Sequence, residues 1–225
     1  MKKIVVLLLT LIMLCSIPIA SATSLVIRFR GLTWGLSIDA VQKAITSDML
    51  PFFTQADERA MIYPSGIANS SQNEWVRTKG NCGFMCTMVS ENSYVGGYIV
   101  NRIALAAHYG EKNNTISMEP SDSVFYLGAY YINTLNVDDI ASVFFDLQGK
   151  LTYLYGEYEE FKAEDTYTTT WFGTKDTAVS LVHDDGEIMI VYYKNNYDEK
   201  LASIEKKVSQ MIITEKYKNS DLSGL

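Results

Sequence analysis

The chain is 225 residues long and carries 26 aspartates and glutamates against 19 lysines and arginines, a formal charge of −7. That balance, with no basic stripe along the sequence, argues against nucleic acid as a partner, because an acidic surface repels phosphate backbones. Lys2 and Lys3 precede an apolar run from Ile4 to Leu14, and Pro18 then leads to Ala20-Ser21-Ala22. Charged start, apolar middle and small-residue end predict a signal peptide over 1–22, cut before Thr23. An uncleaved anchor is the rival, but a membrane-crossing helix needs about 20 apolar residues and this run is shorter. Cys15 follows Leu14, where a lipid-anchored cysteine would follow a small residue. Loss of Lys2 and Lys3, with no acid in 1–22, takes the formal charge from −7 to −9. The expected location is secreted or extracytoplasmic in a bacterium, with no membrane contact after cleavage. Residues 23–218 suffice for a single domain with a real core, and 219–225 read as a mobile tail.

Ser24 to Phe29 are strand-like, and "FRGLTWGLSIDAV" follows from Phe29 to Val41. Gly31 and Gly35 precede a helix, as in phosphate loops, but three residues rather than four separate them and no Lys-Ser/Thr follows. Thr33 stands where a dinucleotide fingerprint has its second glycine. The stretch is predicted to be a tight bend with Trp34 as an apolar plug. Ser37 then caps a helix, Asp39 complements its dipole, and Ile38, Val41, Ala44 and Ile45 share one face.

From about Arg59 to Asn133 the chain is rich in Tyr, Val and Ile and broken by Gly and Asn, as expected of antiparallel strands. Between Tyr94 and Tyr109 the alternation sets Val95, Gly97, Ile99, Asn101, Ile103, Leu105 and Ala107 on one face, with Gly96, Arg102 and His108 on the other. "VFYLGAYYI", Val124 to Ile132, is apolar on both faces and reads as a central strand. Asn69 to Asn73 and Glu111 to Thr115 read as polar loops. Asn136 and Asp139 open the clearest helix, with Val137, Ile140, Phe144, Leu147, Leu151 and Leu154 as its apolar stripe and Gly156 as its stop. Gly149 inside it suggests close packing on the sheet or a kink. Tyr167 to Phe172, Thr177 to His183 and Glu187 to Tyr193 read as strands, the last two joined at Asp184-Asp185-Gly186. A final helix from about Asp198 carries Leu201, Ile204, Val208 and Met211 inward. The fold class is therefore α+β, an antiparallel β-sheet with helices packed on one face. A division into two repeated halves, 23–135 and 136–218, is left open.

After processing only Cys82 and Cys86 remain. An oxidising compartment favours a small disulfide, and Gly80 and Gly83 offer the turn it needs, since four residues of straight strand span about 13 Å. Two unpaired thiols are the alternative. No further soft or imidazole ligands stand near enough in sequence to make a metal site, the acids lack the spacing of a calcium loop, and no cofactor is expected. His108 and His183 are the only histidines, and His183-Asp184-Asp185 is the one place where imidazole and carboxylates adjoin. No nucleophile elbow accompanies them. The acid pairs Glu159-Glu160, Glu164-Asp165 and Asp184-Asp185 read as solvated loops, and would serve glycoside hydrolysis only if the fold set them across a cleft.

The opening F-R-G-x-x-W-G-x-S resembles that of many secreted bacterial proteins of uncharacterised function, and Leu154-Tyr155-Gly156 and Trp171 resemble their second half. The resemblance covers about a third of the chain and implies structure only; it transfers no catalytic residue. Two function classes stay open. The favoured one is a non-catalytic binding module that meets a protein, peptide or envelope component over a tyrosine-rich sheet face. The alternative is an extracytoplasmic hydrolase whose site is assembled from distant residues around His183 or His108.

Overall fold

The computed structural model describes residues 25–47, 76–77, 82–135, 137–163 and 166–218. The signal segment, the 69–73 loop, Asn136, Glu164-Asp165 and the tail lie outside them. Among the described residues ten strands and three helices follow in order: α1 (Ile38–Ser47), β1 (Val76–Arg77), β2 (Gly83–Val95), β3 (Tyr98–His108), β4 (Gly110–Lys112), β5 (Thr115–Ser117), β6 (Val124–Ile132), α2 (Ile140–Tyr155), β7 (Glu159–Ala163), β8 (Thr166–Phe172), β9 (Thr177–Asp184), β10 (Glu187–Lys194) and α3 (Tyr197–Tyr217). Eight strands form one sheet in the order β1-β2-β3-β6-β10-β9-β8-β7, every pair antiparallel. The α+β class is as expected. The strands β6 and β10 pair at the centre of the sheet.

The run VFYLGAYYI is β6, buried along nearly its whole length. It needs apolar side chains on both faces because it has a strand on each side and packed side chains above and below. Ile103, Leu105, Tyr130, Ile132, Leu181 and Ile190 look towards α2, whose Val143, Phe144, Leu147 and Leu151 close the main core. Ala104, Ala106, Leu127, Ala129 and Tyr131 look the other way, where Tyr197 and Leu201 of α3 join them. Farther along, Ile204 and Val208 of α3 are buried with Phe84, Tyr109 and Ile116.

Several expected details shift. The register slips between Val100 and Arg102, so Asn101 is the extra residue of a bulge. The phase of β3 therefore changes there: Val100 is buried, and Ile99, expected inward, is 43% exposed. Helix α2 begins at Ile140, with Asp139 as its cap accepting from Ser142 N at 3.1 Å, and ends at Gly156, whose N–H donates to Thr152 O. Leu154 faces solvent, as does Gly149, where an added Cβ would meet nothing within 4 Å; close packing does not explain this glycine. Glu159-Glu160 lie on the edge strand β7 rather than in a loop, and 111–115 belong to the small β4–β5 hairpin. The Asp185-Gly186 turn between β9 and β10 is present, both residues at positive φ.

The expected disulfide between Cys82 and Cys86 is not formed. Tyr109 N donates to Cys82 O, Gly83 pairs with His108 and Cys86 with Leu105, so the ladder runs unbroken between the two cysteines. Extended backbone holds them about 13 Å apart, beyond disulfide reach. Burial pushes the Cys86 thiol up to about 12, which keeps it protonated and unreactive.

The segment from Leu25 to Leu36 crosses the sheet as a strap. It is not a ladder strand, but Ile27 N donates to Thr177 Oγ1 at 3.0 Å, Thr174 N to Leu25 O, Gly35 N to Phe125 O and Phe125 N to Leu36 O. Gly31 and Gly35 have φ of 74° and 92°, values that ordinary residues disfavour, and the bend they shape is the predicted one. Ser37 Oγ accepts from Ala40 N at 3.4 Å and starts α1. Phe29 is fully buried against Tyr130 and Tyr192, with ring centroids 4.8 and 5.8 Å away. Its ring occupies the place where a Cβ on Gly128 would stand, with atoms only 2.4 to 2.8 Å away. Gly128→Ala should therefore cost about 1–3 kcal/mol and Phe29→Ala about 3–5 kcal/mol, with the double variant costing less than their sum. Urea titrations check this; strict additivity would show that the two residues do not share a site.

Candidate functional site

A cavity of about 580 Å³ opens where the end of β3, the starts of β6 and β9 and the end of β10 meet. Register explains the meeting, since His108 lies opposite Val124 and Lys194 opposite Thr177. The strap supplies Arg28, Thr33 and Trp34, the β8–β9 turn supplies Lys175, and the start of α3 supplies Asn196, Tyr197 and Lys200.

Aromatic rings brace both walls. On the strap side Trp34 stacks on Phe125, centroids 5.1 Å apart at 16°, and its indole Nε1 donates to Ile27 O at 2.7 Å. On the other side His108, Tyr126 and Tyr197 stack in succession at 5.8 and 5.2 Å, and Tyr193 meets Tyr197 edge-on. Burial raises the Tyr126 hydroxyl far above its usual range, and Tyr197 is pushed up to about 12, chiefly by burial and next by the charge of Asp198. Both phenols stay neutral.

His108 is only 7% exposed, yet it lines the cavity. Its Nδ1 lies 2.7 Å from Tyr109 O; a carbonyl only accepts, so Nδ1 carries the proton and Nε2 of the neutral ring is an acceptor. Burial lowers the imidazole below its ordinary value of 6.5, and Lys200 acts in the same sense, against the Tyr109 carbonyl and Glu111. The neutral ring is thus the resting form. Nδ1 is thus engaged by a backbone carbonyl rather than by a serine, cysteine or carboxylate.

The cations come from four separate places. Lys194 Nζ donates to Lys175 O, and Lys200 lies 3.7 Å from Glu111, which also pairs with Lys207. Lys175 and Asp176 both adopt left-handed backbone, φ 58° and 55°, a tight turn closed by Gly173 N donating to Thr177 O. Thr177 is buried and links this turn to the strap, accepting from Ile27 N and donating to Thr174 O.

The residues singled out from sequence are scattered. His183 sits at the other end of β9, on the face beneath α2, with Phe144 and Tyr167 as ring neighbours at 6.2 and 6.3 Å, so the two histidines do not share a site. The tyrosines expected on an open sheet face are mostly inside: Tyr109, Tyr126, Tyr130 and Tyr131 are buried, while Tyr94 is 66% exposed. Among the described residues no group of three or more His, Cys, Asp or Glu side chains is placed to hold a metal ion. No helix among them is long and apolar enough to cross a membrane. Comparison with protein families, with curated proteins and with solved structures finds no match to this chain.

The sign of the His108 effect is testable. The unfolded chain takes up a proton as pH falls through about 6.5 and the folded chain resists until lower pH, so folding loses stability at up to about 1.4 kcal/mol per pH unit in that window. Between pH 7.5 and 5.5, set about the ordinary value of 6.5, the wild-type protein should lose more stability in urea titration than His108→Gln. Equal losses would show that the imidazole is not held neutral.

Proposed function

We propose that this is an exported, non-catalytic binding protein whose ligand seat is the pocket between the strap, the strand ends and α3. The observation that carries the proposal is a preformed concavity lined by a buried imidazole and by braced aromatic rings. Ligand sites commonly combine apolar walls with a few convergent polar groups, and a volume of this size suits a small molecule. Burial of the sheet tyrosines moves the expected binding surface from the open face of the sheet to its end. The export signal read over 1–22 sets the compartment, and a protein, peptide or envelope component remains the source of the group that enters.

A panel of small aromatic and polar fragments, read through the NMR signals of the Trp34 indole N–H and the His108 ring, tests the site. Hits should move both signals and should disappear in Asn196→Trp, which fills the cavity from an exposed position whose side chain makes no capping hydrogen bond. Hits that bind the filled variant as well as wild type would contradict the assignment. Turnover of peptides, esters or glycans that vanishes in His108→Ala or His183→Ala, with the fold intact, would move the protein to the hydrolase class.

A further inference from the structure

The charges around the pocket define what it takes. The chain has more acids than bases, yet the fifteen residues lining this cavity include four cations, Arg28, Lys175, Lys194 and Lys200, and no carboxylate. They converge from the strap, a hairpin turn, the end of β10 and the first turn of α3, so no single charged stretch accounts for them. Two are held in place, Lys194 on the Lys175 carbonyl and Lys200 near Glu111. Arg28 and Lys175 pair with no acid among the described residues, and Lys175 is presented by a turn in a backbone conformation that ordinary residues disfavour. Asp176, Asp198 and Glu111, which neighbour lining residues, are not themselves part of the lining.

We infer that the ligand is a small organic anion, its carboxylate or phosphate group held by Arg28 and Lys175 and its apolar body lying between Trp34 and Tyr197. This rests on the pocket being the binding site. A guanidinium and an ammonium are the donors that carboxylate and phosphate oxygens use, and the deeper ring of His108 offers an acceptor to a hydroxyl or amide on the body of the same ligand.

Calorimetric titration of the purified protein with benzoate, phenyl phosphate and uncharged benzamide separates the cases. Benzoate or phenyl phosphate should bind about tenfold or more tightly than benzamide, and should lose about tenfold or more in Arg28→Gln/Lys175→Gln. Binding should also weaken between about 0.05 and 0.5 M salt as screening shortens. Preference between the two anions tells carboxylate from phosphate. Benzamide binding as tightly as the anions, and lost in Asn196→Trp, would overturn the anion inference and leave the pocket standing. Anions binding Asn196→Trp at wild-type affinity would overturn both. Failure of all three probes to bind, or indifference to the double variant, would overturn the inference.

Discussion

The seating of Phe29 on Gly128 is the contact on which the pocket depends. The missing side chain of Gly128 leaves a place on the central strand that the Phe29 ring fills, with Tyr130 and Tyr192 closing around it. Burial of a phenyl ring contributes about 1.5–3 kcal/mol, more than any single hydrogen bond along the strap. It fixes the middle of a segment whose ends are tied to Thr177 and Thr174 on one side and to Phe125 on the other. Remove the seat, and Arg28 and Trp34 lose the reason for their positions.

From that seat the strap builds one wall of the pocket by short steps. Ile27 accepts the Trp34 indole proton, and Arg30 and Gly31 form the centre of a turn that Leu32 N closes on Phe29 O, so Trp34 folds back onto Phe125. The opposite wall owes nothing to the strap. His108 and Tyr126 stand at neighbouring strand ends, and only Asn195 and Asn196 separate β10 from α3, which brings Tyr197 onto Tyr126. Because the sheet is antiparallel, these ends gather on one side, and chemistry carried by distant residues meets there.

Much of the architecture was legible in the sequence because its signals are local. The Asp185-Gly186 turn marked the β9–β10 hairpin, the both-faced apolar run marked β6, and the stripe through Phe144, Leu147 and Leu151 marked α2. The glycine spacing in the strap, which fails as a phosphate loop, correctly pointed to a bend. The bulge at Asn101 was not legible, since one extra residue reverses the phase of an alternation without changing its composition. Nor was the acidic edge strand β7, whose glutamates resemble a loop until β8 pairs with it. The pocket was least legible of all. Arg28, Lys175, Lys194 and Lys200 form no stripe in one dimension and gather only through the pairing of β9 with β10 and the return of the strap. His108 was visible as a candidate, but the tyrosines were misjudged: a strand buried on both faces conceals them.

The strap is part of the core and not a loosely laid segment. Native-state amide hydrogen exchange measures this directly, through Ile27 and Gly35 in the strap and Phe125 and Thr174, whose N–H groups the strap accepts. All four should exchange with the same opening free energy as the ladder amides of β6 and β10, that is, only by global unfolding. Exchange of these four by a low-energy local opening, while the β6 and β10 ladder stays protected, would contradict the account.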